Sequence, residues 1–136
     1  MNNKPNIILT EIDLERLERL IDNTPDNQFP NKASLEEELE RAEVVKSSDV
    51  PNTVVTMNST VRFLELPDQG EFSRTLVYPR DSGKEGTVSI LAPVGIAILG
   101  LSVGDEIEWP SAKGKTLKVR VKEILFQPEE SGEAHL

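Results

Sequence analysis

Hydrophobic and polar positions follow a helical period up to about residue 45 and an alternating, strand-like one beyond residue 52. In the first regime Leu14, Leu17 and Ile21 mark an apolar seam, with Leu20 beside it. Thr10 is a good N-cap, Asp13 stands three residues on, and Leu9 and Leu14 occupy the positions of a hydrophobic staple. Glu15 and Arg19 form an i,i+4 pair on the wet side. The turn cluster Asn23-Thr24-Pro25-Asp26-Asn27 predicts an end near Asp22. A second helix is predicted to start at Asn31 or Ser34 and to run to Val45, with Leu35, Leu39, Ala42 and a valine as its seam. Matching seams and a compact polar connection predict a stubby antiparallel helical hairpin.

The polar, proline-containing stretch at residues 47–52 is the predicted boundary, giving a hairpin domain over residues 1–48 and a second domain over residues 53–136. Beyond it the pattern predicts strands at 53–56, 59–66, 71–78 and 87–91, with Met57-Asn58 as a bend and 67–70 as a turn. The most apolar window, 91–105, opens with Pro93 at the first turn of a short helix and has Gly100 at its left-handed cap. Val94, Ala97, Ile98 and Leu101 take the i, i+3, i+4, i+7 spacing of one buried face. Full burial of each Ile or Leu is worth roughly 1.5–3 kcal/mol, which makes this window a natural core plug. A strand at 106–109 and a turn at 111–115 lead to a last strand, 116–126. There Leu117, Val119 and Val121 alternate with Lys118, Arg120 and Lys122, as in a half-buried strand or a basic docking stripe. The parity breaks at Glu123, which predicts a bulge, and the tail from Gln127 reads as acidic and loose.

Charge narrows the function classes. The 136-residue chain carries a formal net charge of −9, which weighs against binding a phosphate backbone and favours protein partners. The segment to Ser48 holds 11 Asp or Glu against 6 Lys or Arg, either a solvated helix face or a surface for a basic partner. With no cysteine and His135 as the sole histidine, thiolate chemistry, a histidine metal cluster and a serine–histidine–acid triad drop out. Asp22 and Asp26 flank the hairpin turn, but two carboxylates without a third ligand make a poor metal site. The opening residues have no hydrophobic leader and no run reaches membrane-helix length, so the expected location is cytoplasmic.

Three ordered blocks carry a resemblance. They are Val55-Thr56-Met57-Asn58-Ser59-Thr60-Val61, Leu76-Val77-Tyr78-Pro79, and the run from Ala92-Pro93-Val94-Gly95 through Gly100 to Val103-Gly104-Asp105. Together they resemble the Gre transcript-cleavage factors, and more closely the Rnk type within that family, over nearly the whole chain. The resemblance implies an α+β fold: a short N-terminal coiled-coil hairpin and a C-terminal FKBP-like domain, an antiparallel sheet with one short helix. It also implies a bacterial RNA polymerase partner, with the C-terminal domain docking on the β′ subunit at the rim of the secondary channel. The docking positions map to Leu91, Ala92, Pro93 and Val94, with Ser89 and Ile90 just upstream. Ala92 stands where Gre factors usually have serine, which removes one hydroxyl contact.

Gre factors carry two metal-holding acids at the tip of a long hairpin. Here each predicted helix is about three turns, a reach of roughly 18–24 Å, and Asp22 and Asp26 are the nearest counterparts of those tip acids. The expectation is a monomeric, cofactor-free, non-enzymatic factor that occupies the channel and competes with Gre factors without stimulating cleavage. It would affect nucleoside diphosphate kinase indirectly. The alternatives are a polymerase-independent adaptor and a direct regulator of that kinase. A prolyl isomerase, suggested by the implied fold, is disfavoured because one Trp, one Tyr and four Phe are too few to line its aromatic pocket.

Overall fold

The computed structural model describes residues 6–67, 70–110 and 116–132. The turn predicted at 111–115, the middle of the 67–70 turn and His135 lie outside the described residues.

The N-terminal part is a helical hairpin clasped at its base. Strand β1 (Ile8–Thr10) leads into α1 (Glu11–Asn23), and α2 (Lys32–Arg41) leads into β2 (Glu43–Val45). β1 and β2 pair in parallel, with Leu9 opposite Val44. Thr10 caps α1 as expected, its hydroxyl accepting from the Asp13 N–H at 3.0 Å. The second helix stops at Arg41, short of the predicted Val45. Ala42 is already extended and the Glu43 N–H donates to the Ile7 carbonyl at 2.9 Å. Two β-branched valines, stiff at χ1, therefore join the ladder that β1 offers. Of the two predicted starts for α2, the earlier one is adopted, with Asn31 at the N-cap position but without a capping hydrogen bond from its side chain.

The rest is a five-stranded sheet in the order β5-β4-β3-β7-β6. Its strands are β3 (Thr60–Leu66), β4 (Glu71–Val77), β5 (Thr87–Ser89), β6 (Glu106–Pro110) and β7 (Thr116–Phe126). The β3–β4, β3–β7 and β6–β7 pairs are antiparallel, whereas β5 runs parallel to β4, so the sheet is mixed rather than wholly antiparallel. A two-residue hairpin can join only antiparallel strands; the 78–86 connection is long enough to bring the chain back in the same direction. The bulge expected near Glu123 is present. Val121 faces Phe63 and Glu123 faces Arg62, which leaves Lys122 extra, and a second shift follows at Thr60/Val61.

Alternation on β3 and β7 buries Val61, Phe63, Val119 and Val121 on one face. Phe63 stacks on Phe72 with centroids 5.4 Å apart, and Trp109 meets both rings edge-on at 5.0 Å. The basic residues of β7 are matched within the sheet. Arg120 donates to Glu106 at 2.6 Å, Lys118 lies 3.4 Å from the same carboxylate, and Lys122 pairs with Glu71. These bonds hold Glu71 and Glu106 below the usual carboxylate range.

Residues 53–56 do not form the predicted strand beyond one bridge, Val54 to Ser102. The segment instead makes a buried turn, with Asn58 at φ 67° and the Ser59 hydroxyl accepting from the Thr56 N–H. The tail is also tighter than expected, at least to residue 132. Gln127 is buried and its amide donates to the carbonyls of Pro51 and Val54, and a one-turn helix α4 (Pro128–Ser131) places Glu129 to accept from the Thr56 hydroxyl at 2.7 Å. One hydrophobic cluster spans the molecule, from Ile7, Leu17 and Leu35 of the hairpin to Met57, Phe63 and Leu99. Among the described residues no helix is long and apolar enough to cross a membrane.

Candidate functional site

The predicted docking residues form a single knuckle between β5 and helix α3 (Pro93–Ile98). Ile90 anchors it. The whole residue is buried, and its N–H donates to the Val77 carbonyl at 2.9 Å. Ser89 ties the turn twice: its hydroxyl accepts from the Leu91 N–H at 3.1 Å and its carbonyl from the Ala92 N–H at 3.0 Å. Leu91, Ala92 and Val94 are half-buried and Pro93 is exposed at the first helical position. The six positions thus divide into one core anchor, one hydrogen-bonded brace and four residues that face outward in part or whole.

Gly95 explains how tightly this knuckle is held. A Cβ there would sit 2.1 Å from the Ser89 carbonyl oxygen, so the helix backbone lies directly on the end of β5. The buried face of α3 is Gly95, Ile96 and Ile98, continuing into Leu99 and Leu101, while Ala97 is exposed and Val94 only half-buried. The expected Val94–Ala97–Ile98–Leu101 stripe is therefore rotated. A helix of six residues is oriented by its closest backbone contact, here Gly95 on Ser89, rather than by the width of its apolar stripe. Gly100 has the expected left-handed conformation, φ 80°, and its carbonyl accepts from the Ile8 N–H. The window thereby joins the core plug to the base of the hairpin.

At the far end of the hairpin the two predicted acids diverge. Asp26 accepts from the Lys32 ammonium at 2.7 Å, and that bond holds its carboxyl below the usual carboxylate range. Lys32 also donates to the Thr24 carbonyl at 2.6 Å, so the pair closes the turn. Asp22 is exposed and lines a groove of about 520 Å³ between α1 and α2, with Glu18, Glu36 and Glu40 around an apolar floor of Leu14, Ile21 and Leu39. Phe29 fills the inside of the turn and is 1% exposed. Among the described residues no three His, Cys, Asp or Glu side chains gather as metal ligands.

Asp13 is the residue that sequence reasoning undervalued. Read as a capping residue, it is 2% exposed and accepts from the Met57 N–H at 3.0 Å, linking α1 to the 53–59 turn. Burial pushes its carboxyl up to about 7 against the lowering effect of that bond. A signal was present: Asp13, Leu17 and Ile21 share one i, i+4, i+8 face, so the acid stands in line with the buried seam.

Residues 5–45 match the family described as Rnk N-terminus, and residues 50–126 match the C-terminal part of the transcription elongation factors GreA/GreB. The chain is 40% identical to the regulator of nucleoside diphosphate kinase of Escherichia coli K12 over 96% of both chains. It is 32% identical to the transcription elongation factor GreA of Helicobacter hepaticus, over 65% of this chain and 58% of that one. A solved structure described as a prokaryotic transcription elongation factor GreA/GreB from Nitrosomonas europaea is 51% identical, with a TM-score of 0.79 over 90% of this chain and all of the other. The Gfh1 protein of Thermus thermophilus, a GreA homologue, shares the fold at 21% identity and a TM-score of 0.51 over 90% of this chain and all of the other. With an Rnk N-terminus joined to a GreA/GreB C-terminal part, the chain belongs to the Rnk type of the Gre-like transcription factor family.

Proposed function

We propose that this protein is a bacterial RNA polymerase-binding regulator that seats its knuckle on the β′ subunit at the secondary-channel rim and competes with Gre factors without stimulating transcript cleavage. In this reading residues 53–136 dock and residues 1–48 point into the channel. The contact residues are Leu91, Ala92, Pro93 and Val94, braced by Ser89 and Ile90. The observation that carries the non-cleaving part is the hairpin itself. Its longer helix, Glu11–Asn23, spans only about 20 Å at 1.5 Å per residue, and its tip acid Asp26 is already committed to Lys32. A hairpin of that length, with Asp26 paired to Lys32, blocks a passage but does not deliver a metal-holding pair to a distant active centre.

The reading makes the protein a cytoplasmic monomer without a cofactor or enzymatic activity of its own, and makes any effect on nucleoside diphosphate kinase indirect, through transcription. The experiment is direct binding to core polymerase with competition by a Gre factor, followed by cleavage on backtracked complexes. Expected are mutual displacement and no cleavage; cleavage stimulated by the purified protein would overturn the reading. The acidic groove between α1 and α2 favours the second reading, a polymerase-independent adaptor, and co-purification of another partner, such as the kinase, in the absence of polymerase would move the conclusion there.

A further inference from the structure

A cleft of about 470 Å³ opens where α1 meets the segment after β4, away from the 89–94 contact residues of the docking reading. It is lined by Arg16, Arg19, Leu20 and Asn23 of α1 and by Tyr78, Pro79 and Arg80. Three guanidiniums on one cleft are unexpected in a chain of net charge −9. Helical spacing places Arg16, Arg19 and Asn23 on one side of α1, while the 79–81 turn brings Arg80 from the opposite wall. Leu20, Tyr78 and Pro79 form an apolar floor between them, and the Tyr78 hydroxyl is buried against it. We infer that this cleft binds a small organic diphosphate, with the phosphates across Arg16, Arg19 and Arg80 and the organic part on Leu20, Tyr78 and Pro79.

The chemistry favours that class over a single inorganic anion. Guanidinium presents a planar fork that matches phosphate oxygens two at a time, and three forks exceed what one phosphate needs. The volume lies within the range of small-molecule clefts, and an apolar floor beside a cationic rim suits a ligand with one face of each kind. The counter-charges on Arg19 and Arg80 are replaceable. Arg19 pairs with Glu15, with the two side chains 70% and 64% exposed, and Arg80 lies 3.5 Å from Asp81 at 79% and 46%. Such surface pairs are weak and give way to a better acceptor. Arg16 is engaged from below, with the Tyr78 hydroxyl and the Asp13 carboxyl, so a phosphate would share that guanidinium rather than take it over. The cleft shares no residue with the 89–94 knuckle, although its α1 wall belongs to the hairpin that the docking reading points into the channel.

The test is calorimetric titration of the full chain with GDP and ADP, beside inorganic pyrophosphate and inorganic phosphate, at two salt concentrations. Expected is micromolar binding of a nucleoside diphosphate, at least tenfold weaker binding of inorganic phosphate, and weakening with salt. Arg19→Gln and Arg80→Gln, both on exposed side chains, should each weaken the diphosphate at least tenfold while leaving the unfolding midpoint unchanged; Arg16→Lys should weaken it less than either. No binding of any diphosphate below millimolar concentration would overturn the inference. So would binding indifferent to Arg19→Gln and Arg80→Gln, or variants that lose polymerase affinity with no diphosphate binding in the parent, which would make the cleft a protein contact.

Discussion

The knuckle and the hairpin tip are two regions of one molecule, and they are built on opposite principles. At the knuckle, backbone lies on backbone: Gly95 rests on the Ser89 carbonyl, Ile90 is sunk in the core, and every turn N–H from Ile90 to Ala92 has a partner within 3.1 Å. At the tip, Phe29 supplies the packing and one exposed ion pair, Asp26 with Lys32, closes the turn. A surface that must present a fixed shape to a partner gains from the first construction. A segment that fills a channel needs only bulk and an inoffensive charge. Between them lies a third construction, the seam, where Asp13 on Met57 and Ile8 on Gly100 join the hairpin to the sheet.

The contrast breaks most severely at Gly95. Gly95→Ala drives a methyl into a backbone oxygen that has no room to retreat, and the expected loss is on the order of 4 kcal/mol, at the upper end for a small-to-large change. Urea unfolding should show a lower midpoint with an unchanged slope, and polymerase binding should fall with it.

The seam is probed by pH. Below about pH 3 the Asp13 carboxyl is neutral folded and unfolded, and it carries no penalty. As pH rises from there to about 7 the unfolded chain ionises while the folded one keeps its proton, so this group lowers stability with rising pH; above 7 the penalty is constant. A pKa moved from 3.8 to about 7 sets a ceiling on the order of 4 kcal/mol. Asp13→Asn keeps an acceptor for the Met57 N–H and removes the charge, so it should stabilise the protein at pH 8 by ~2 kcal/mol and flatten the slope from pH 5 to 7. Glu71 and Glu106, held low by their basic neighbours, act in the opposite sense, losing their contribution as pH falls. The difference between parent and variant isolates Asp13. A parent whose stability rises from pH 5 to 8 as steeply as the variant's would refute the assignment.

A charge at the knuckle's outer face separates shape from stability. Val94→Asp, at a half-buried position away from the Gly95 contact, should reduce polymerase affinity at least tenfold and shift the melting temperature by only a few degrees. Equal affinity would place docking elsewhere. Removing residues 1–48 is a poor control here, because it strips Ile7, Leu17 and Leu35 from a shared core. The smallest effect belongs to the tip. Asp26→Asn should leave unfolding and polymerase affinity unchanged and confer no cleavage, since it removes one exposed pair. A measurable loss of competition against a Gre factor would show that the tip acts rather than merely fills space.

Local chemistry carried most of the chain's reading. Thr10 as cap, Pro93 and Gly100 as helix brackets, the alternation of β7 and its break near Glu123 are each decided within a few residues, by dihedral preference or side-chain period, and they were legible without coordinates. The six knuckle positions were mapped only through the family resemblance, three of them, Ser89, Ile90 and Leu91, just upstream of its last block. What remained hidden depends on distant partners. Val44 and Val45 leave the helix because β1 lies beside them, and the face of α3 turns because Gly95 meets Ser89. Asp13 becomes a buried latch because Met57, 44 residues away, offers an N–H, and Arg16, Arg19 and Arg80 share a cleft only after α1 folds onto the end of β4. Period and propensity describe a residue's own stretch of backbone. Burial, ion pairing and the pKa of a carboxyl are set by whatever the fold carries to within a few ångströms, and that the tertiary structure alone decided.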